Sequence, residues 1–532
     1  MAKKFTNTRV LIGFIFRRDR IRLLLWILGI AIFAISIAAL LPDLYPDKAD
    51  KLVLAETMKN PAVTFMLGPS AGLNNYTDGA MMGHFMLVFT AMFAAIMSIL
   101  LVTRHTREDE EDGRIEMIYS LPLGSLSNLT ATLLTLLIAN VLIFLLIGLG
   151  LYGLGIETMG LEGSLLFGAS VGVVGIFYAA LTGLFAQLAS NVRTTLGLSF
   201  AFLIAEYIIR GSGDTGNQAL SHLSPLGLIT RSEVYVNNYW WPILLLLAIS
   251  LLIYSFSLYL NSIRDLGAGF ISTKPGKSQG SPYLSSPIGL ALRLERTPII
   301  AWALGIFILG SAYGSLLGDL EGFLSTSQLV QKMIPIVEGF SLTQSFVTML
   351  ITIISVIGTI PILMFVLKVN SEEKKDRISQ LLATPVSRYS IIGSYTLIGL
   401  MAAFLIQLMS VLGLWLAASF TMEDVISFGT LLKAAIVNVP AMWIFVGVAV
   451  FLIGRFPKLT GLTWTYLICA FFIEYMGEFL KLPEWTTKLS PFSHVPSVPV
   501  DEVKVSTLLI ILVIAFILIG IGFREYNRRD IE

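Results

Sequence analysis

Long apolar stretches alternate with short charged ones along the whole chain. A bilayer's hydrocarbon layer takes about 20 apolar residues per helix. Runs of that kind begin near Leu23, Met82, Leu129, Leu165, Thr194, Trp241, Ile299, Val347, Ile391, Val425, Leu459 and Thr507. They predict about twelve transmembrane helices, the last ending near Phe523. The first run is too long for the apolar core of a signal peptide and lacks a small-residue cleavage site. It reads as a first span entered through a basic interfacial helix carrying Lys3, Lys4, Arg9, Arg17, Arg18, Arg20 and Arg22.

The charged interruptions orient the spans. The basic N-terminus, Arg193, the run with Arg264, Lys274, Lys277, Arg293 and Arg296, the Arg455/Lys458 turn and Arg524, Arg528 and Arg529 fall on one side. The other side carries Asp43, Asp47, Asp50, Glu56, Glu157, Glu162, Glu423 and Asp424. By the positive-inside rule the basic side is cytoplasmic, which places both termini in the cytoplasm of a multi-pass plasma-membrane protein.

A Ser/Pro/Gly-rich stretch at 272–287, "STKPGKSQGSPYLSSP", reads as a cytoplasmic linker between two six-span halves, 1–271 and 288–532. Its "GKS" is not a phosphate-binding loop, because Ile271 stands where that motif needs glycine and no strand precedes it. The halves are repeats. Arg114, Ile115, Pro122 and Ser127 are followed at a constant spacing of 263 residues by Arg377, Ile378, Pro385 and Ser390. Arg20, Trp26 and Gly29 answer Arg296, Trp302 and Gly305; Gly183 and Gly197 answer Gly447 and Gly461; "LSP" at Leu223 answers "LSP" at Leu489. Several matches in one order point to internal duplication, and an even number of spans per half makes the repeats parallel. The expected fold is therefore an all-α polytopic membrane protein of two parallel six-helix repeats.

The best-matched segments are polar, one in each half between the second and third spans. In "EEDGRIEMIYSLPLGSLS" the apolar Ile115, Ile118 and Tyr119 recur at helical spacing, as do Ile378, Leu381 and Leu382 in "EEKKDRISQLLATPVSRYS". Each predicts a short amphipathic helix at the membrane surface, ended by Pro122 or Pro385. Such loops are often no more than solvated connections. Duplication at equivalent positions points instead to a surface presented twice, to a partner that is itself two-fold.

Composition agrees with the pattern: 55% of the 532 residues are hydrophobic and only 13% charged, too apolar for a water-soluble globule of this size. The net charge of +1 gives no reason to expect a nucleic-acid partner. A single cysteine, Cys469, excludes an intrachain disulfide, and the scattered His84, His105, His222 and His494 have no metal-ligand spacing.

An acidic cluster followed by "RIxxLLATPVSR" resembles the cytoplasmic coupling helix of permeases in the ABC-2 superfamily of ABC transporters. The length, the six-plus-six duplication and the basic helix before each half resemble the large fused permeases of the antibiotic and polyketide exporter type. The second copy is nearer the pattern; the first has "SLPLGSLS" and no basic residue where Arg388 stands. The resemblance implies a transport subunit without an ATPase site of its own. It implies two copies of a separately encoded ABC-type ATP-binding subunit, with ATP and Mg on that partner and no cofactor in this chain. It also implies outward movement of a lipophilic or antibiotic-like small molecule through a lipid membrane. The residues it assigns to ATPase coupling are Glu110, Asp112, Arg114, Ile115, Glu116 and Pro122 in the first half. In the second they are Glu372, Glu373, Lys375, Asp376, Arg377, Ile378, Pro385 and Arg388. Internal pairing of these charges with Arg17, Arg18, Arg20, Arg293 or Arg296 is the competing reading.

Ionisable residues at membrane depth are functional candidates because burying charge there costs at least about 2.5 kcal/mol. Glu206 and Glu474 qualify, as polar neighbours on a substrate path or as groups snorkelling outward, with Arg210 a partner for Glu206. Asn140, Gln407 and Asn438 serve either substrate contact or interhelical hydrogen bonding. A twelve-span secondary transporter driven by an ion gradient is the rival class; its signature loop is compact, basic and glycine-led, unlike these acidic runs followed by a helix. A membrane enzyme finds no nucleophile elbow, metal spacing or paired carboxylates.

Overall fold

The computed structural model describes the chain except for residues 1, 60, 70, 272–278, 320–341, 423–424, 477–483, 497, 499–504 and 531–532. Among the described residues every regular element is helical, and eleven helices are long and apolar enough to cross a membrane. The run expected from Leu459 forms the 15-residue helix Leu462–Met476; residues 477–483 lie outside the described residues, among which eleven rather than twelve span-length helices are found. The chain packs as two units, Met1–Gly276 and Lys277–Glu532. Much of the expected linker, 272–278, also lies outside the described residues, as do Glu423 and Asp424.

In the first unit the spans are α1 (Thr8–Leu44), α2 (Asp78–Thr103), then, after the short α3 (Arg114–Tyr119), α4 (Ser127–Gly153), α5 (Leu161–Leu188), α6 (Val192–Thr215) and α7 (Trp241–Ile263). Capping side chains set two of the starts: Thr77 accepts from Ala80 N at 3.2 Å ahead of α2, and Asn191 from Thr194 N at 2.8 Å ahead of α6. α5 is the central helix, with most of its residues buried. It lies close against α4 because Gly168 and Gly172 carry no side chain there; a Cβ at Gly168 would sit 2.3 Å from Phe144 O, and one at Gly172 2.9 Å from Asn140 O. Small residues replace water-driven packing in a bilayer, letting backbones approach. The segment between α1 and α2 carries the helices Lys48–Thr57 and Pro61–Leu67.

The second unit runs α8 (Pro287–Leu316), α9 (Leu342–Glu373), the short α10 (Arg377–Leu382), α11 (Arg388–Thr421), α12 (Phe428–Ile436) with α13 (Val439–Arg455), α14 (Leu462–Met476) and α15 (Val505–Arg528). Glycines again permit the tightest contact, between α8 and α11: a Cβ at Gly413 would meet Phe307 O at 2.1 Å and one at Gly310 would meet Ser410 O at 2.3 Å. Both predicted amphipathic helices are present at their predicted places, α3 and α10, each six residues long.

Candidate functional site

Each unit gathers the ends of its spans into one charged face, and the short helix sits there. α3 and α10 are built alike. Each begins after a residue in the left-handed conformation, Gly113 at φ 70° and Asp376 at φ 54°. Each buries one isoleucine, Ile115 at 4% exposure and Ile378 at 1%. Each ends in a three-residue turn centred on proline: Leu123 N donates to Leu121 O, and Val386 N to Thr384 O, both at 2.7 Å. That is the geometry of an inverse γ-turn, which the fixed φ of Pro122 and Pro385 favours. Burial pushes the Tyr119 phenol up, and its Oη donates to Ser125 O at 3.0 Å, closing α3 onto its turn.

Two carboxylates before each short helix face inward. In the first unit Asp109 accepts from Arg18 at 2.6 and 2.8 Å and from Arg114 at 2.8 Å. The next residue, Glu110, pairs with Arg264 at 3.0 and 3.1 Å and with Arg107 at 3.2 Å. In the second unit Glu372 pairs with Arg377 at 3.1 Å and with Lys368 at 3.5 Å, while Glu373 pairs with Arg529. The correspondence is one-to-one at the same 263-residue spacing: Asp109 and Glu372 hold the arginine of the short helix, and Glu110 and Glu373 hold an arginine just beyond the hydrophobic part of the unit's last span. A planar guanidinium fork suits both tasks.

The expected charged surface is thereby reduced. Glu110, Glu372 and Glu373 carry side chains only 7 to 8% exposed and are paired within the chain, so they are structural clamps and not outward-facing charges. Of the internal partners expected, Arg18 is engaged, by Asp109 rather than by the carboxylates first singled out. The outward groups are Asp112, Arg114 and Glu116 beside α3, and Lys374, Lys375, Asp376 and Arg377 beside α10. Arg388 donates to the backbone oxygens of Asn527 and Arg529 at 3.2 and 2.6 Å, anchoring the C-terminal end of α15.

The first unit's face is the more heavily braced. Between α2 and α3 the helix widens into one π turn, Arg104–Glu108, a feature common where helices carry special side-chain placement. From it Arg107, 1% exposed, donates to Ala186 O and Ala268 O. His105 meets Asp19 at 2.7 Å, and Glu111 accepts from Val192 N at 2.6 Å. Thus the ends of α1, α2, α5, α6 and α7 are tied together around the base of α3.

Comparison with known proteins gives this face its context. The family described as "Multidrug efflux system permease Rv1217c, C-terminal domain" matches residues 9–260 and 284–527. The multidrug efflux system permease protein Rv1217c of Mycobacterium tuberculosis is 32% identical over 532 residues, covering 99% of this chain and 96% of that protein. The chain belongs to the Rv1217c-type multidrug efflux permease family. It is a multi-pass membrane transport permease.

Within this permease the polar residues of the spans make hydrogen bonds both along and between helices. Asn140, fully buried, donates to Ser98 Oγ on α2 at 3.2 Å and to Leu136 O at 2.9 Å. Gln407, also fully buried, donates to Ser355 Oγ on α9 at 2.6 Å and contacts Met442 Sδ on α13 at 3.4 Å. Asn438 bonds to Ala434 O at 2.9 Å across the break between α12 and α13. Glu206 does not pair with Arg210. It accepts from Tyr178 Oη at 2.7 Å, from Ser224 Oγ and from Leu226 N at 3.3 Å, at the start of the helix Pro225–Thr230. Arg210 instead pairs with Asp214 at 3.1 Å and donates to Phe65 O and Met66 O, stacking over Tyr207 at 4.7 Å. Glu474 accepts from Ser493 Oγ at 2.5 Å. Sequence reasoning missed Asp109, Asp19, His105 and the Arg264 and Arg529 clamps. The signal was present in the recurrence of paired acids at 109–110 and 372–373 and of an arginine after each last span.

Proposed function

We propose that this chain is the membrane subunit of an ATP-driven exporter of the ABC-2 type. In this reading α3 and α10 are coupling helices on the cytoplasmic side, each docking one copy of a separately encoded ABC-type ATPase. ATP and Mg belong to that partner. The single observation that carries the proposal is the pair of short helices, matched at a constant 263-residue spacing. Each starts after a left-handed residue, ends in a proline turn and is clamped by a preceding carboxylate pair. A loop whose only task is to connect two spans has no need of a buried carboxylate pair locking it to the unit's last helix. A lever does, because force applied at the short helix must reach the spans without being lost in loop motion.

The cargo proposed is a lipophilic, antibiotic-like small molecule moved outward, in keeping with the printed name of the mycobacterial relative. The docking charges are the outward ones, Arg114 with Asp112 and Glu116, and Arg377 with Lys374, Lys375 and Asp376. Charge complementarity of this kind sets partner choice and register. The test is the double reversal Arg114→Glu with Arg377→Glu in membranes that also contain the ATPase. The permease stays folded and membrane-inserted while ATPase recovery and drug-stimulated ATP turnover fall together. Unchanged recovery and turnover would remove these helices from the role. Drug transport by the purified chain alone, driven by a proton gradient, would establish the secondary-transporter class in its place.

A further inference from the structure

The first unit carries a cleft of about 690 Å³ lined by Arg17, Arg18, Asp19, Arg20, Ile21, Arg22, Leu25, Trp26 and Arg104. Five guanidinium groups thus face one lining carboxylate. That carboxylate, Asp19, is already shared by Arg22 and Arg104, both at 3.3 Å, and by His105 at 2.7 Å. Arg18 is taken by Asp109 behind the cleft. Arg17 and Arg20 are exposed and have no ion pair among the described residues. At the cleft α1 leaves helical geometry, at Asp19 with φ −111° and ψ 19°, the joint between its basic segment and its membrane-spanning segment. Below the arginines the lining turns apolar, with Ile21 and Leu25 each 66% exposed and Trp26 beside them. Tryptophan at this level is the usual anchor at a membrane interface.

We infer that this cleft binds the phosphate headgroup of an anionic phospholipid, with the acyl chains lying over Ile21, Leu25 and Trp26. A surplus of guanidinium groups calls for a phosphate, which they engage through paired N–H donors. Basic pockets at this level between spanning helices suit anionic headgroups. The adjoining exposed apolar side chains distinguish a lipid from a free anion, since only an amphiphile uses both parts. The bound lipid would brace α1 against α2 at the root of the network that holds α3.

The test is native mass spectrometry of the full-length protein titrated with phosphatidylglycerol or with phosphatidylcholine of the same acyl chains. Retention of phosphatidylglycerol at least about 10-fold above phosphatidylcholine is expected, and Arg17→Gln with Arg20→Gln should weaken it roughly 25-fold, at about a factor of five per arginine. Lys458→Gln, which removes an exposed charge of the second unit, should change nothing. Equal retention of the two lipids, or unchanged binding in the double variant, overturns the assignment. Inorganic phosphate that displaces the lipid at equal concentration would make this a free-anion site and also overturn it. If the double variant does not fold, Trp26→Ala decides: it keeps every charge and should still weaken phosphatidylglycerol binding, whereas unchanged retention overturns the proposal.

Discussion

The two short helices share a skeleton but are strapped to the molecule differently. In the first unit the turn after α3 is held by the N-terminus: Gly124 N donates to Thr6 O at 3.1 Å, Leu126 N to Lys4 O at 3.0 Å, and Asn7 Nδ2 to Pro122 O at 2.8 Å. In the second the turn after α10 is held by the C-terminus, through Arg388 to Asn527 O and Arg529 O. The absence of a basic residue in the first copy where Arg388 stands thus has a physical reason. The neighbouring Gly124 admits the N-terminal backbone, and a Cβ there would sit 2.2 Å from Lys4 O. One copy exchanges a side-chain strap for a backbone strap.

The clamps give the largest way to break this comparison. Glu110→Ala leaves Arg107 and Arg264 buried without their carboxylate, which should cost about 3 to 5 kcal/mol. Glu373→Ala should cost less, about 1 to 2 kcal/mol, because Arg529 is 17% exposed and can regain water. Thermal unfolding of the two variants in detergent checks the order; equal losses would mean that the faces are braced alike.

The straps come next. Gly124→Ala should destabilise by about 1 to 3 kcal/mol through the clash with Lys4. At the matching position, Ser387→Ala loses only the cap to Ser390 N, seen at 3.1 Å, and should cost about 1 kcal/mol. Proteolysis of the N-terminal segment should accelerate in the first variant and stay unchanged in the second.

The smallest effects lie at the helix starts. Gly113→Ala places a Cβ in open space but in the left-handed region, costing about 1 to 2 kcal/mol from backbone strain alone. Asp376→Gly relieves a milder version of that strain, and its greater chain entropy offsets part of the gain, so stability should shift by under about 1 kcal/mol. Denaturation midpoints measured side by side test whether the two starts are conformational equivalents.

Much of the architecture is legible in the sequence. Apolar run length marks the spans, and the spacing of Ile115, Ile118 and Tyr119, with Pro122 after them, marks where α3 forms. The carboxylates are harder to read. In "REDEEDGR" five acids stand nearly side by side, and which of them faces inward depends on helix phase, here altered by the π turn at Arg104–Glu108. Pairing with Arg264 or Arg529 joins residues 154 and 156 positions apart, which no local pattern reveals. The partners of Asn140 and Gln407 are equally hidden, because no local pattern says which neighbouring helix an amide meets.

The central claim is that two outwardly similar helices receive two copies of one motor. The most direct measurement is mass-spectrometric stoichiometry of the tagged full-length permease captured from mild-detergent extracts with a non-hydrolysed ATP analogue present. The account predicts an ATP-binding subunit at two copies per chain, lost in the Arg114→Glu, Arg377→Glu variant. A permease recovered without any ATP-binding subunit, or with one copy indifferent to that variant, would contradict it.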